Sequence, residues 1–158
     1  MLITYFYPSY IVIMVIFVLI TIPKNDFREY YIYGILLGGL GDIVIVGLYQ
    51  NLLNIIWFKN AGIFNVLGQN LLSPPSWALT VMIFLRFLPQ RKTFQYFYVL
   101  TFALFSVGFG YLVHNIGLFD FKPWFYPFFA YLAFLAWWSI ITFVFIKTSS
   151  FVKRNSLT

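Results

Sequence analysis

Asp42 is the residue that most clearly suggests chemistry, because it is an acidic side chain within a long apolar run. A charged group inside a bilayer is costly and usually faces the interior of a helical bundle. We therefore interpret Asp42 as a carboxylate that accepts a proton or contacts a cation. The alternative is a buried, protonated Asp that hydrogen-bonds to a neighbouring helix and has no further role.

His114 and Asn115 form the second candidate for a ligand or proton site. His114 is the only histidine, and it lies near the end of another apolar run. Imidazole transfers protons and binds metals, but no second ligand stands at a metal-binding spacing such as HxxxH. We predict no metal site. The alternative for His114 is a hydrogen bond to a loop carbonyl, and the sequence leaves open whether His114 meets Asp42.

A third group of polar side chains surrounds a Pro-Pro pair and suggests a pocket in the outer leaflet. Its members are Gln69, Asn70, Ser73 and Ser76. Proline is also well tolerated in the first turn of a helix. The alternative is therefore a plain helix start, with Trp77 as an interfacial anchor.

Small and aromatic residues near these candidates are interpreted as packing residues. Gly34 and Gly38 form a GxxxG pair, which permits close contact between two helices. Four bulky aromatic residues are expected at the interfaces and in helix packing rather than in a ligand cage. They are Trp124, Tyr131, Trp137 and Trp138.

The composition indicates a membrane protein. Of the 158 residues, 62% are hydrophobic and only 9% are charged. A soluble domain has about 25% charged residues, because polar side chains must cover its surface. The net charge of +6 comes from sparse residues between apolar runs, so we predict no nucleic-acid binding. The chain has no cysteine, which excludes disulfides and thiolate ligands.

Five apolar runs predict an all-α fold, a polytopic transmembrane bundle of about five helices in the lipid bilayer. A spanning helix needs about 20 apolar residues, and the runs cover residues 5–22, 30–49, 71–88, 95–115 and 125–146. The first run lacks a basic stretch before it, so we expect a retained helix rather than a cleaved signal peptide. Asp26 and Glu29 resemble a capping box at the start of the second helix.

Residues 50–70 are apolar but interrupted by several Asn and Gly residues, so they do not predict a clean spanning helix. We predict an interfacial helix and turn on the outer side of the membrane. A re-entrant segment is the alternative, and it would need protein or water around its irregular backbone.

The positions of the basic residues predict the orientation of the bundle. Two of the ten Lys and Arg, Lys59 and Lys122, lie in the connections after helices two and four. The other eight lie in or beside the remaining connections and the C-terminal tail. Cytoplasmic segments are enriched in Lys and Arg. We therefore place the N-terminus outside and the C-terminus inside, with a bundle over residues 1–147 and a cytoplasmic tail over 148–158.

Three stretches resemble a family of small, uncharacterised, five-helix membrane proteins of spore-forming Gram-positive bacteria. They are residues 74–77 (Pro-Pro-Ser-Trp), the turn at 87–94, and residues 117–124 before an aromatic last helix. The family's acidic positions correspond to Ser76-Trp77 and to Gly108-Phe109 in this chain. The resemblance therefore implies a fold and a bacterial cell-membrane location rather than a chemistry.

These observations favour a non-enzymatic integral membrane protein without a cofactor. It would bind a membrane-protein partner, a second copy of itself, or a small apolar ligand within the bundle. One alternative is a small transporter or channel component that uses Asp42. Another is a lipid- or isoprenoid-modifying enzyme, which usually requires paired carboxylates, and Asp42 with Asp120 would be that pair.

Overall fold

A computed structural model describes residues 5–66 and 68–150, and these residues contain five helices. The structure is 75% helical, which confirms the predicted helical bundle. The helices are α1 (Phe6–Thr21), α2 (Lys24–Leu52), α3 (Ser73–Arg86), α4 (Lys92–Asn115) and α5 (Phe128–Thr148). Two stretches of α2, Gly34–Leu40 and Leu48–Leu52, have π-helical geometry.

Three of the five helices are long and apolar enough to cross a membrane. They are α2, α4 and α5, with 29, 24 and 21 residues. Helix α1 is apolar but has 16 residues, and α3 has only 14. At 1.5 Å per residue, α3 is about 21 Å long, shorter than a hydrocarbon core of roughly 30 Å. The number of membrane crossings therefore stays a prediction.

Helix α3 forms the centre of the bundle and contacts each of the other four helices. Its Arg86 Nε donates to the carbonyl of Thr21 at the end of α1 at 2.9 Å. The Phe84 carbonyl accepts a hydrogen bond from Tyr98 of α4 at 3.0 Å, and the Phe84 ring lies 4.4 Å from the Trp138 ring of α5. Phe84 and Trp138 are fully buried, so the largest core side chains gather around this short helix.

The contact between α2 and α3 depends on glycine. A Cβ at Gly38 would lie 2.5 Å from the carbonyl oxygen of Trp77 and 2.8 Å from Cα of Ala78. A Cβ at Gly34 would lie 2.8 Å from the carbonyl oxygen of Ala78. The two helix backbones touch because both positions lack a side chain, which confirms the predicted role of the GxxxG pair.

Short strands and one 3-10 turn (Gly62–Phe64) replace the interfacial helix that was predicted within residues 50–70, so the all-α prediction is wrong for this segment. Strand β1 (Ile56–Phe58) pairs antiparallel with β4 (Phe119–Phe121), and β2 (Asn65–Val66) pairs with β3 (Gln69–Asn70). Helix α2 ends where Asn54 adopts a φ of 51°, a left-handed conformation that Asn tolerates. The β-branched and aromatic residues that follow favour a strand once a partner strand is present. Whether the segment lies at the interface or re-enters the bilayer stays a prediction.

The two ends of the bundle differ in charge. One end, which we call the basic end, carries most of the described basic residues. They are Lys24, Arg28, Arg86, Arg91, Lys92 and Lys147. The other end, which we call the strand end, carries β1 and β4 together with Lys59 and Lys122. This separation agrees with the predicted grouping of the connections, while the orientation in the membrane stays a prediction.

The predicted capping box at Asp26 and Glu29 is wrong, because α2 begins earlier, with Pro23 as its N-cap. Asp26 lies in the first turn, where its charge still favours the helix dipole. Glu29 binds the end of α5 instead. Its carboxylate accepts hydrogen bonds from the Ser149 hydroxyl at 2.6 Å and from the Ser150 amide at 2.9 Å. The tail predicted over 148–158 begins within this contact, and residues 151–158 lie outside the described residues.

Candidate functional site

Asp42 is buried at the contact of α2 with α3, with 7% of its surface exposed. Ser73, in the first turn of α3, is the polar side chain that interacts with the Asp42 carboxylate. The ion pairs of the described residues join Asp120 to Lys59 and His114, so no described basic side chain neutralises Asp42. The Asp42 carboxylate is thus buried beside a neutral side chain.

Asp42 lines a cavity of about 120 Å³ between α2 and α5. Most of the wall is aromatic, and Asp42 is the only charged side chain that the described residues contribute to it. Aromatic side chains come from α2, α3, α5 and the segment before α5. They are Tyr49, Trp77, Phe125, Tyr126, Phe134 and Trp137. Aliphatic side chains and two alanines of α5 complete the wall. Such a cavity suits a mostly apolar ligand that one polar group orients.

Strands β1 and β4 form part of the cavity wall at the strand end, where they contribute Ile56 and Phe119. An ion pair between Lys59 and Asp120 and a 2.9 Å hydrogen bond from Asn60 Nδ2 to the Gly117 carbonyl join the two segments. The hydrogen bond from the Lys59 ammonium holds the pKa of the Asp120 carboxyl below its ordinary value. This strand pair therefore depends on charge as well as on its backbone ladder.

His114 belongs to the strand pair and not to the Asp42 site. Its Nδ1 lies 3.1 Å from the carbonyl oxygen of Phe119 and 3.4 Å from Oδ1 of Asp120. Within the described part of the chain, His114 forms no ion pair with Asp42. Asn115 is exposed as the last residue of α4. The contact with the Phe119 carbonyl agrees with the alternative proposed for His114, a hydrogen bond to a loop carbonyl.

The four polar residues predicted to form an outer pocket have separate contacts in the structure. Ser73 joins the Asp42 site. Asn70 Oδ1 accepts the Leu72 amide at 3.0 Å, and the Ser76 hydroxyl donates to the Leu72 carbonyl at 2.6 Å. These two bonds fix the start of α3. Gln69 lies near Gly47 of α2, where an added Cβ would be 3.8 Å from its amide nitrogen.

Ser76 also lines a second cavity, of about 190 Å³, with Tyr10, Thr80, Ser106 and aromatic side chains. The Ser106 hydroxyl accepts the indole N–H of Trp138 at 2.9 Å, and the Tyr10 and Thr80 hydroxyls bond at 2.8 Å. The polar atoms of this wall are thus largely occupied by one another. The second cavity therefore has fewer free polar groups for a ligand than the Asp42 cavity.

Trp137 is the cavity residue that sequence reasoning missed, since it was interpreted as a packing residue. Its indole lies directly against Gly41, where an added Cβ would be 2.1 Å from Cη2. The indole N–H is buried, with no partner among the described residues. The sequence contained one indication, a glycine directly before the buried acid. Only the pairing of α2 with α5 shows that an indole fills the space beside it.

The described residues contain no group of three or more His, Cys, Asp or Glu that could hold a metal ion. The two carboxylates of the enzyme hypothesis have different surroundings. Asp42 contacts Ser73 inside the bundle, whereas Asp120 contacts Lys59 and His114 at the strand end. The geometry therefore favours ligand binding at Asp42 over chemistry by a carboxylate pair.

No protein family, curated protein or solved structure matches this chain. The resemblance to the five-helix bacterial family therefore stays a prediction. The function must be inferred from the site itself.

Proposed function

We propose that the protein is a multi-pass integral membrane protein that binds a small, largely apolar ligand inside its bundle, beside Asp42. The observation that carries this proposal is the cavity of about 120 Å³, in whose wall Asp42 is the only charged side chain among residues 5–66 and 68–150. Ligand sites are typically concave and apolar, with a few polar groups that fix orientation. Asp42 and its neighbour Ser73 supply those groups here.

Charge and hydropathy support a location in the cell membrane. Three helices suit a bilayer, and the basic end suits the cytoplasmic side of a cell membrane. The strand end, with β1 and β4, would then face outward. The Asp42 cavity, which these strands help to line, would lie in the outer half of the bundle.

A ligand is a better occupant of this site than a partner protein, because the cavity lies among the protein's own helices and strands. A partner or a second copy would instead use the outer faces of the helices. Those faces expose many apolar side chains. Contact with lipid also requires apolar faces, so this exposure does not distinguish a protein partner from lipid.

Native mass spectrometry of the protein, extracted gently with its lipids, tests the proposal. We expect a small molecule bound at one per chain. The variant Ala133→Leu fills part of the cavity, because Ala133 lines it. Ala136→Leu is the matched control, since Ala136 lies on the same helix but is exposed.

Loss of the bound mass in Ala133→Leu, and its retention in Ala136→Leu, would support the cavity as the site. A bound molecule that survives both changes would place the ligand elsewhere. A wild-type protein that carries no molecule, and acquires none from a membrane extract, would contradict the proposal.

A further inference from the structure

We infer that the Asp42 cavity takes a small organic cation, a protonated or quaternary amine with short apolar groups. This inference rests on the proposed ligand site and adds the chemical class of the ligand. It follows from three features of the cavity: an unneutralised carboxylate, an aromatic wall, and too few ligands for a metal ion.

The first feature is the charge of Asp42. Its polar neighbour Ser73 is neutral, and the described ion pairs all belong to Asp120. A buried carboxylate without a counterion is costly, and a bound cation removes that cost. An anionic ligand would add to it. The missing counterion thus points to a positively charged occupant.

The second feature is the aromatic part of the cavity wall. Rings of Tyr49, Trp77, Tyr126 and Trp137 line the same cavity as Asp42. The face of an aromatic ring attracts a cation, and Trp and Tyr do so most strongly. Aromatic rings combined with one acidic residue are how proteins recognise alkylammonium groups, whose methyl groups also require an apolar surface.

The third feature excludes a metal ion as the occupant. Calcium needs six to eight oxygen ligands, and magnesium needs near-octahedral oxygen geometry. Asp42 and Ser73 supply few oxygens, and no cluster of metal-binding side chains exists within residues 5–66 and 68–150. The volume of about 120 Å³ also exceeds what a bare ion requires, and it accommodates a small amine.

A pair of probes that differ only in charge tests the inference. Choline carries a trimethylammonium group, and 3,3-dimethylbutan-1-ol is its neutral carbon isostere. Both are titrated into the purified protein in detergent, and binding is followed by tryptophan fluorescence, because Trp77 and Trp137 line the cavity. We expect choline to bind about tenfold more tightly than the alcohol, as a cation near aromatic rings and a carboxylate should.

Asp42→Asn keeps the shape of the side chain and removes its charge. We expect it to abolish the preference for choline while it leaves binding of the alcohol unchanged. Asp26→Asn is the matched control, because it makes the same change near the other end of α2. If Asp42→Asn fails to fold, Tyr49→Leu removes one ring, and it should weaken choline binding more than alcohol binding.

Equal binding of both probes to the wild type would overturn the inference and leave the proposed apolar ligand site intact. It would mean that Asp42 holds a proton rather than a cation. Failure of both probes to bind, at any concentration that keeps the protein folded, would count against the cation site and the ligand site together. A preference for choline that survives both Asp42→Asn and Tyr49→Leu would place cation binding outside this cavity.

Discussion

Two aspartates of this chain illustrate how surroundings decide the role of a residue. Asp120 lies at the strand end with Lys59 and His114, so its charge is compensated. Asp42 is buried beside a serine in an aromatic cavity, so no described basic side chain compensates its charge. The first aspartate joins two segments of the chain. The second is the residue that a ligand would contact.

The Lys59–Asp120 pair predicts a small pH dependence of stability. The pKa of Asp120 is lowered in the folded protein. The contribution of the Asp120 carboxylate to the free energy of unfolding is therefore fully present above the ordinary Asp pKa of about 4. It is lost as the pH falls through the lowered value. Exposed pairs of this kind contribute at most about 1 kcal/mol.

Thermal unfolding of the wild type and of Asp120→Asn, measured from neutral to acidic pH, checks this prediction. The wild type should be the more stable at neutral pH, and the difference should vanish in the acid range. Lys59→Gln should cause a similar loss of stability at neutral pH. The double variant should lose less stability than the two single variants lose together. A difference that grows as the pH falls would be incompatible with the ion pair.

At the scale of elements, α3 is both short and central. Its 14 residues are surrounded by α1, α2, α4 and α5, and its buried side chains include Val81, Met82 and Leu85. The proline pair in its first turn and the side-chain bonds of Asn70 and Ser76 fix where it begins. That start also places Ser73 against Asp42, so the position of α3 determines the polar part of the site.

The glycine contact between α2 and α3 predicts a destabilising substitution. Gly38→Ala would place a methyl group 2.5 Å from a carbonyl oxygen of α3, which neither backbone can avoid without shifting. Overpacking of this kind costs about 1–3 kcal/mol. We expect a lower midpoint of thermal unfolding in detergent.

Gly108→Ala is the matched control, because a Cβ there would have no neighbour within 4 Å. Alanine is favoured over glycine in a helix by up to about 1 kcal/mol, so this variant should be as stable as the wild type or more so. Equal midpoints for Gly38→Ala and the wild type would show that the helices do not touch as described.

At the scale of the whole molecule, the separation of basic residues between the two ends matters most. The basic end holds six of the described Lys and Arg, and the strand end holds Lys59 and Lys122. Membrane insertion retains Lys and Arg on the cytoplasmic side. The strand end, and with it the half of the bundle that holds the proposed ligand site, would therefore face outward.

Cysteine labelling can test this orientation directly, because the chain contains no cysteine of its own. Lys122→Cys and Arg91→Cys introduce single thiols at exposed positions of the strand end and the basic end. We expect a membrane-impermeant maleimide to label Lys122→Cys in intact cells. Arg91→Cys should react only after permeabilisation, and the reverse result would invert the proposed topology.

The sequence alone was sufficient to predict the helices, because hydropathy is a local property of about 20 consecutive residues. Four of the five predicted ranges differ from the observed helices by a few residues at each end. The second range, 30–49, differs most from the observed helix, because α2 begins at Lys24 and continues through a polar first turn. The identification of Asp42 as a buried carboxylate also followed from its local surroundings.

The tertiary structure alone decided what surrounds that carboxylate. The pairing of Ile56 with Phe121 joins segments far apart in the chain, and it brings Lys59 to Asp120. Trp137 meets Gly41 only because α5 packs beside α2. Local propensity says nothing about such partners, since strand pairing and cavity shape depend on contacts between distant residues. The sequence therefore determined which residue would be unusual, and the packing of distant segments decided which side chains surround it.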